Sequence, residues 1–190
     1  MLDTNEFNKL RSELENFDKQ REILIKKSRD IIRLSKLIIY SVHRDDLDSA
    51  ARQISKIEKD KKEFEKITKH DCKLIYEASY TAAIQEYVEA LCFFEFVKNR
   101  NIPSKNKLGV STEEYLLGLC DLTGELARRA VVHAMTDFEE VTRIKGIIES
   151  IFGEFLKFDL RNGNLRKKSD SIKWNLKKIE EVIYDISLRK

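Results

Sequence analysis

Apolar residues recur at spacings of mostly three, four and seven through much of this chain, and that rhythm predicts helix. Residues 5–40 carry Phe7, Leu10, Leu14, Phe17, Ile23, Leu24, Ile31, Leu34, Leu37 and Ile38 as one stripe on a charged rod. The pattern breaks at His43-Arg44-Asp45-Asp46, where Asp45 or Asp46 is an N-cap for a second helix reaching about residue 67. That helix carries Leu47, Ile54, Ile57 and Phe64, and its middle, residues 56–66, interleaves acids and bases as a solvent-facing segment does. A third helix is expected from His70 or Asp71 to Asn99. Beyond Ala78 its apolar residues wrap most of the circumference, which marks a central element. Residues 99–109 form the clearest loop, around Pro103 and Gly109. Ser111 with Glu114 makes a capping box for the next helix, and Thr136 with Glu139 a second one for a helix through Val141, Ile144, Ile148 and Phe155. After a turn at residues 161–164, Ile172, Leu176, Ile179, Val182, Ile183 and Ile186 stripe a last helix. No segment alternates like a strand pair. The expected fold is all-α: one antiparallel bundle of about six helices, a single domain over residues 1–190.

Composition agrees with that and narrows the setting. The chain has 190 residues, 36% of them charged, with one proline and six glycines, a profile of long helices and few loops. A net charge of +3 excludes a strongly basic tail-type binder, so any nucleic-acid surface must come from local clustering. Cys72, Cys92 and Cys120 are odd in number and widely spaced, which suits buried free thiols in a reducing cytoplasm. The first residues lack the basic and apolar regions of a signal peptide, and no apolar run has the length to span a membrane. His43 and His70 have no partner at a telling spacing and are expected to be surface or capping residues. Tyr40, Trp174, Tyr184 and the Phe93-Phe94 pair are core or interface residues, with core the expected role.

Two apolar helices are interrupted by acids. Glu86 and Glu89 stand at i, i+3, and Asp121 and Glu125 at i, i+4, so each pair shares one face of its helix. Ionised carboxylates in apolar surroundings need a cation. One account gives them protein partners, with Arg128 and Arg129 three and four residues beyond Glu125. The other sets the two acidic faces opposite each other as an all-oxygen nest, which favours a hard ion, Mg²⁺ or Mn²⁺, over softer metals. Such an ion can hold a phosphodiester and activate water. The first helix adds Arg21, Lys26, Lys27, Arg29, Arg33, Lys36 and, just beyond, Arg44. Residues 26–36 hold five cations against the one acid Asp30, which is either a solvated face or a ridge for phosphates.

These features together resemble a known family, translin and its partner TRAX, over nearly the whole chain. Phe17-Asp18-Lys19 with Arg21, Lys27-Ser28-Arg29-Asp30, and Ser35-Lys36 to His43-Arg44 resemble its first helix. Gln85-Glu86-Tyr87-Val88-Glu89-Ala90, Tyr115-Leu116-Leu117-Gly118 and Asp121-Leu122-Thr123-Gly124-Glu125-Leu126 are similar to the TRAX branch. Leu165-Arg166-Lys167, Val182-Ile183-Tyr184-Asp185 and Arg189 are closer to translin. The resemblance implies that Glu86, Glu89, Asp121 and Glu125 form a Mg²⁺-dependent endoribonuclease site acting on single-stranded or partly unpaired RNA. The translin branch implies the alternative, a non-catalytic binder of single-stranded RNA or DNA. The family assembles as hollow oligomers, octamers in the catalytic form. TRAX-like acids combined with a translin-like end imply a homo-oligomer, as in a prokaryotic or archaeal relative. The aromatic, His-rich basic stretch of translin has no clear match around His70-Asp71-Cys72-Lys73.

Overall fold

A computed structural model describes residues 2–188; the His70 side chain and Arg189, on which expectations were placed, lie outside the described residues. Those described residues form seven α-helices and one short 3-10 helix, with no strand among them. Six of the helices are long, and they are the six that the apolar spacing predicts. The seventh, α4, is a single turn, Lys105–Leu108, inside the predicted loop, started by Ser104 accepting from the Lys107 amide at 3.3 Å.

Helix α1 spans Thr4–His43, about 60 Å at helical rise. Its buried positions Leu24, Ser28, Ile31, Ser35, Ile38 and Val42 step by three and four along one face. Ahead of Leu24, Phe17 is partly buried against the core, while Phe7, Leu10, Leu14 and Ile23 are exposed. Asp45 turns the chain in the left-handed region (φ 57°), and Asp46 caps α2, Leu47–His70, through the Ser49 amide at 2.9 Å. Ala50, Ile57 and Phe64, a heptad apart, seal α2 inward. One charged residue of its expected solvent-facing middle is buried as well. Lys61 lays its stem inward, with its ammonium 5.5 Å from the Tyr87 ring centroid and donating to Gly109 O at 3.1 Å.

The third helix begins later than its spacing suggests. Asp71 is extended and accepts from the Lys73 amide, which starts the separate 3-10 turn Cys72–Tyr76, and α3 proper is Ala78–Asn99. Packed between α1 and α5, it buries apolar residues on all sides, as expected of a central element. Helix α5, Thr112–His133, opens on the predicted Ser111–Glu114 capping box. The expected Thr136–Glu139 box is replaced by Asp137, whose carboxylate accepts from the Glu140 amide at 2.9 Å to start α6, Phe138–Phe155. Helix α7, Asn164–Ser187, buries Ile172 and Ile179 against α5 and α6. Tyr40, Trp174 and Tyr184 are exposed, against their expected core role, while Phe93 and Phe94 are core. Cys92 and Cys120 are buried thiols, and Cys72 is an exposed one.

The α3–α5 contact positions the acids. A Cβ built on Gly118 would lie 2.6 Å from Val88 Cβ and Cγ1 and 3.0 Å from Gln85 O. Only glycine lets α5 sit this close to the turn of α3 that carries Glu86 and Glu89. No helix among the described residues is long and apolar enough to cross a membrane.

Candidate metal and nucleic-acid site

Two helices that touch through Gly118 present their acids to each other. Asp121 and Glu125 both act electrostatically on Glu86 and on Glu89, so the four carboxylates share one locality. Their surroundings differ. Glu89 is 9% exposed, and its carboxylate has no hydrogen bond or ion pair with another described residue. Burial first, then the charges of Asp121, Glu86 and Glu125, push it up to about 8. Glu86, half-buried, is raised chiefly by burial and is opposed by the nearby Lys36 ammonium.

Asp121 and Glu125 are paired with the protein. Lys168, reaching from α7, donates to both Asp121 oxygens at 2.8 and 2.6 Å, and the Gln85 amide donates to Oδ2 as well. Glu125 accepts from His43 Nε2, and that hydrogen bond is the main reason its carboxyl lies below the ordinary range. Arg128 stands 3.5 Å away, the i+3 pairing the spacing anticipates. His43 is no surface residue. Its side chain is 9% exposed and rests on Phe93, with ring centroids 4.8 Å apart.

Arg129, offered as the i+4 partner of Glu125, points elsewhere. Its guanidinium is buried, donating to Glu140 at 3.0 Å, Val42 O at 3.2 Å and Asp45 at 2.8 Å. Glu140 also accepts from Arg100 and Arg143. This network bolts the α1–α2 turn to α5 and α6, and so fixes the end of α1 where His43 meets Glu125.

Among the described residues no three acids, histidines or cysteines stand close enough to enclose an ion as now posed. Lys168 and His43 hold two of the carboxylates instead. The donor chemistry nevertheless fits a hard divalent cation: oxygens only, crowded enough to repel, with Glu89 buried and unpaired. Lys168, His43 and Gln85 were not anticipated from sequence. The first two lie 47 and 82 residues from their acids, so no local spacing could signal them.

The basic residues of α1 divide. Arg29, Arg33 and Lys36 share one open face of α1 with Ile32, Leu37 and Tyr40, and Lys36 brings that face near the acids, where its charge acts on Glu86. Arg44 continues the line, its guanidinium 5.5 Å from the Tyr40 ring centroid. Arg33 also pairs loosely with Asp30, at 3.7 Å. Arg21 is bonded to Glu77 at 3.0 Å and Lys27 to Glu63 at 2.6 Å, while Lys26 is exposed outside that face.

Known proteins share this arrangement of helices. An uncharacterised protein of Methanocaldococcus jannaschii is 33% identical over 172 residues, covering 87% of this chain and 76% of that one. Animal translins align over less of their length, 34% of the chicken protein and 49% of the bovine one. The crystal structure of apo-NeC3PO superposes with a TM-score of 0.88 at 29% identity, covering 98% of both chains. AfC3PO, solved in complex with duplex RNA, shares the fold with a TM-score of 0.87 at 21% identity, covering 97% of this chain and 98% of that one. The family model for translin matches residues 19–190, nearly all of the chain from the middle of α1 onward, and the protein belongs to the translin family.

Proposed function

We propose that this protein is a divalent-metal-dependent endoribonuclease that cuts single-stranded or partly unpaired RNA. The observation that carries this reading is the buried, unpaired Glu89 near three further acids of α3 and α5, beside the face of α1 that carries Arg29, Arg33 and Lys36. Glu86, Glu89, Asp121 and Glu125 would hold Mg²⁺ or Mn²⁺. Such an ion, when bound, supplies Lewis-acid stabilisation of the charge on the transferring phosphoryl group and a more acidic water. The chain supplies the rest. Arg29, Arg33 and Lys36 hold the phosphate backbone, Arg44 extends that track, and one of the four acids takes a proton from the attacking water. The solved RNA complex of a protein with this fold supports RNA as the ligand.

The protein works as a homo-oligomer, an octamer by analogy with the catalytic form of the family. Exposed apolar residues on α1 (Phe7, Leu10, Leu14) and around α7 (Leu156, Trp174, Tyr184) support self-association, which sedimentation velocity checks. The buried free thiols Cys92 and Cys120 fit a cytoplasmic setting.

A second reading, a non-catalytic binder of single-stranded RNA or DNA, draws support from Lys168 and His43 already occupying Asp121 and Glu125. One experiment separates them: labelled single-stranded and duplex RNA incubated with the protein in Mg²⁺ and in EDTA, beside Glu89→Gln and Glu86→Gln/Asp121→Asn. Metal-dependent cutting by the parent, lost in both variants while RNA binding persists, is the expected result. Binding without cutting in every arm establishes the binder instead.

A further inference from the structure

We infer that Lys168 is a resident counter-ion of the acid cluster, occupying Asp121 until a divalent cation displaces it. The inference rests on the metal reading above. The ammonium lies between the two oxygens of Asp121, at 2.8 and 2.6 Å, and with Gln85 it uses the acceptor positions that an ion would need. Its charge also reaches Glu86 and Glu89, where it offsets the repulsion of the other acids. In the metal-free protein a single positive charge thus does part of what a divalent ion would do more strongly.

A tether for α7 is the competing explanation, and α7 has better ones. Ile172 and Ile179 are fully buried, and Asn175 donates to Thr123 Oγ1 of α5 at 2.8 Å. The Lys168 pair is by contrast about 30% exposed on each side, which makes it weak and exchangeable. Lys168 therefore sets the threshold for metal, and occupancy by metal loosens one link between α7 and α5.

The test is thermal unfolding followed by circular dichroism across a Mg²⁺ titration, on the parent, Lys168→Met and Arg166→Met. Arg166 lies on the same helix, paired only loosely with Asp170 at 4.0 Å, and its loss changes net charge equally. Lys168→Met is expected to melt lower than the parent without metal and to half-saturate at a Mg²⁺ concentration about tenfold lower, removal of a competing charge being the cause. Arg166→Met should track the parent. An unchanged or higher half-saturation point in Lys168→Met, with the parent still responding to Mg²⁺, overturns the role of Lys168 alone. No response in either protein overturns the metal reading with it. Should Lys168→Met fold poorly, the unaltered protein decides: lysine-detected NMR should show the slowed ammonium proton exchange of Lys168 vanish as Mg²⁺ stabilises the fold. Its persistence through that stabilisation counts against displacement.

Discussion

Glu140 is 1% exposed and accepts from three arginines, two of them on other segments of the chain. Burial alone would raise its carboxyl, but the Arg129 and Arg100 bonds outweigh that and hold it below 4.5. A folded value below the unfolded one means that its stabilisation is present above pH 4.5 and is lost as pH falls through the folded value. Acid unfolding of Glu140→Gln should therefore be flatter with pH than that of the parent, as urea midpoints at successive pH values would show. At neutral pH the same variant weakens one of the two acid pairings of Arg129, which keeps Asp45, at a cost of roughly 1–3 kcal/mol. At the acid cluster the direction differs. Glu89→Gln removes a buried group that repels its neighbours, so it should not lower the melting temperature of the metal-free protein, and it should cancel the rise on adding Mg²⁺. A destabilised variant that still responds to metal would detach Glu89 from the site.

At the scale of helices, the meeting of α3 and α5 turns on Gly118. Alanine favours helix over glycine by about 1 kcal/mol, so on propensity alone Gly118→Ala should stabilise. The close approach reverses the sign. A methyl 2.6 Å from Val88 must push the helices apart, and overpacking of this kind costs about 1–3 kcal/mol. Val88→Ala in the same protein should restore much of the stability and the response to Mg²⁺, as a double-mutant cycle in thermal unfolding would reveal. Helix identity was legible in the sequence because periodicity and side-chain caps are local: Ser111 with Glu114, Asp46, and the apolar circumference of α3 all stand as expected. What misled was also local. Thr136 and Asp137 both precede α6, and spacing alone cannot say which side chain reaches the amide; Asp137 does. Asp71 likewise has a short-range alternative to helix, and it divides what reads as one element into two. The partners of the acids were illegible for a different reason. Lys168 and His43 meet Asp121 and Glu125 only through the packing of α7 and α1 on α5 and its neighbours.

Over the whole molecule the positive charges of α1 count by place and not by number. Arg29 and Arg33 stand on the open face of α1 near the acids, whereas Lys27 is held by Glu63. Replacing Arg29 and Arg33 by glutamine should lower the slope of log affinity for single-stranded RNA against log salt by about one for each phosphate that is no longer neutralised. Lys27→Gln should leave that slope nearly unchanged, and filter binding across a salt series distinguishes the two.

The first helix is longer than the body it packs on. Its apolar positions Phe7, Leu10 and Leu14 lie ahead of Phe17, where packing on the core begins, yet both parts belong to one uninterrupted helix. A rod of this kind transmits phase. One residue inserted between Leu14 and Phe17 would leave the core contacts from Phe17 onward in place and rotate the projecting apolar face by about 100° about the axis, while seven inserted residues would return it to within about 20° of its bearing. The register of this stretch is thus an angular setting, and shifting it redirects what the far end can meet without altering the fold at the near end.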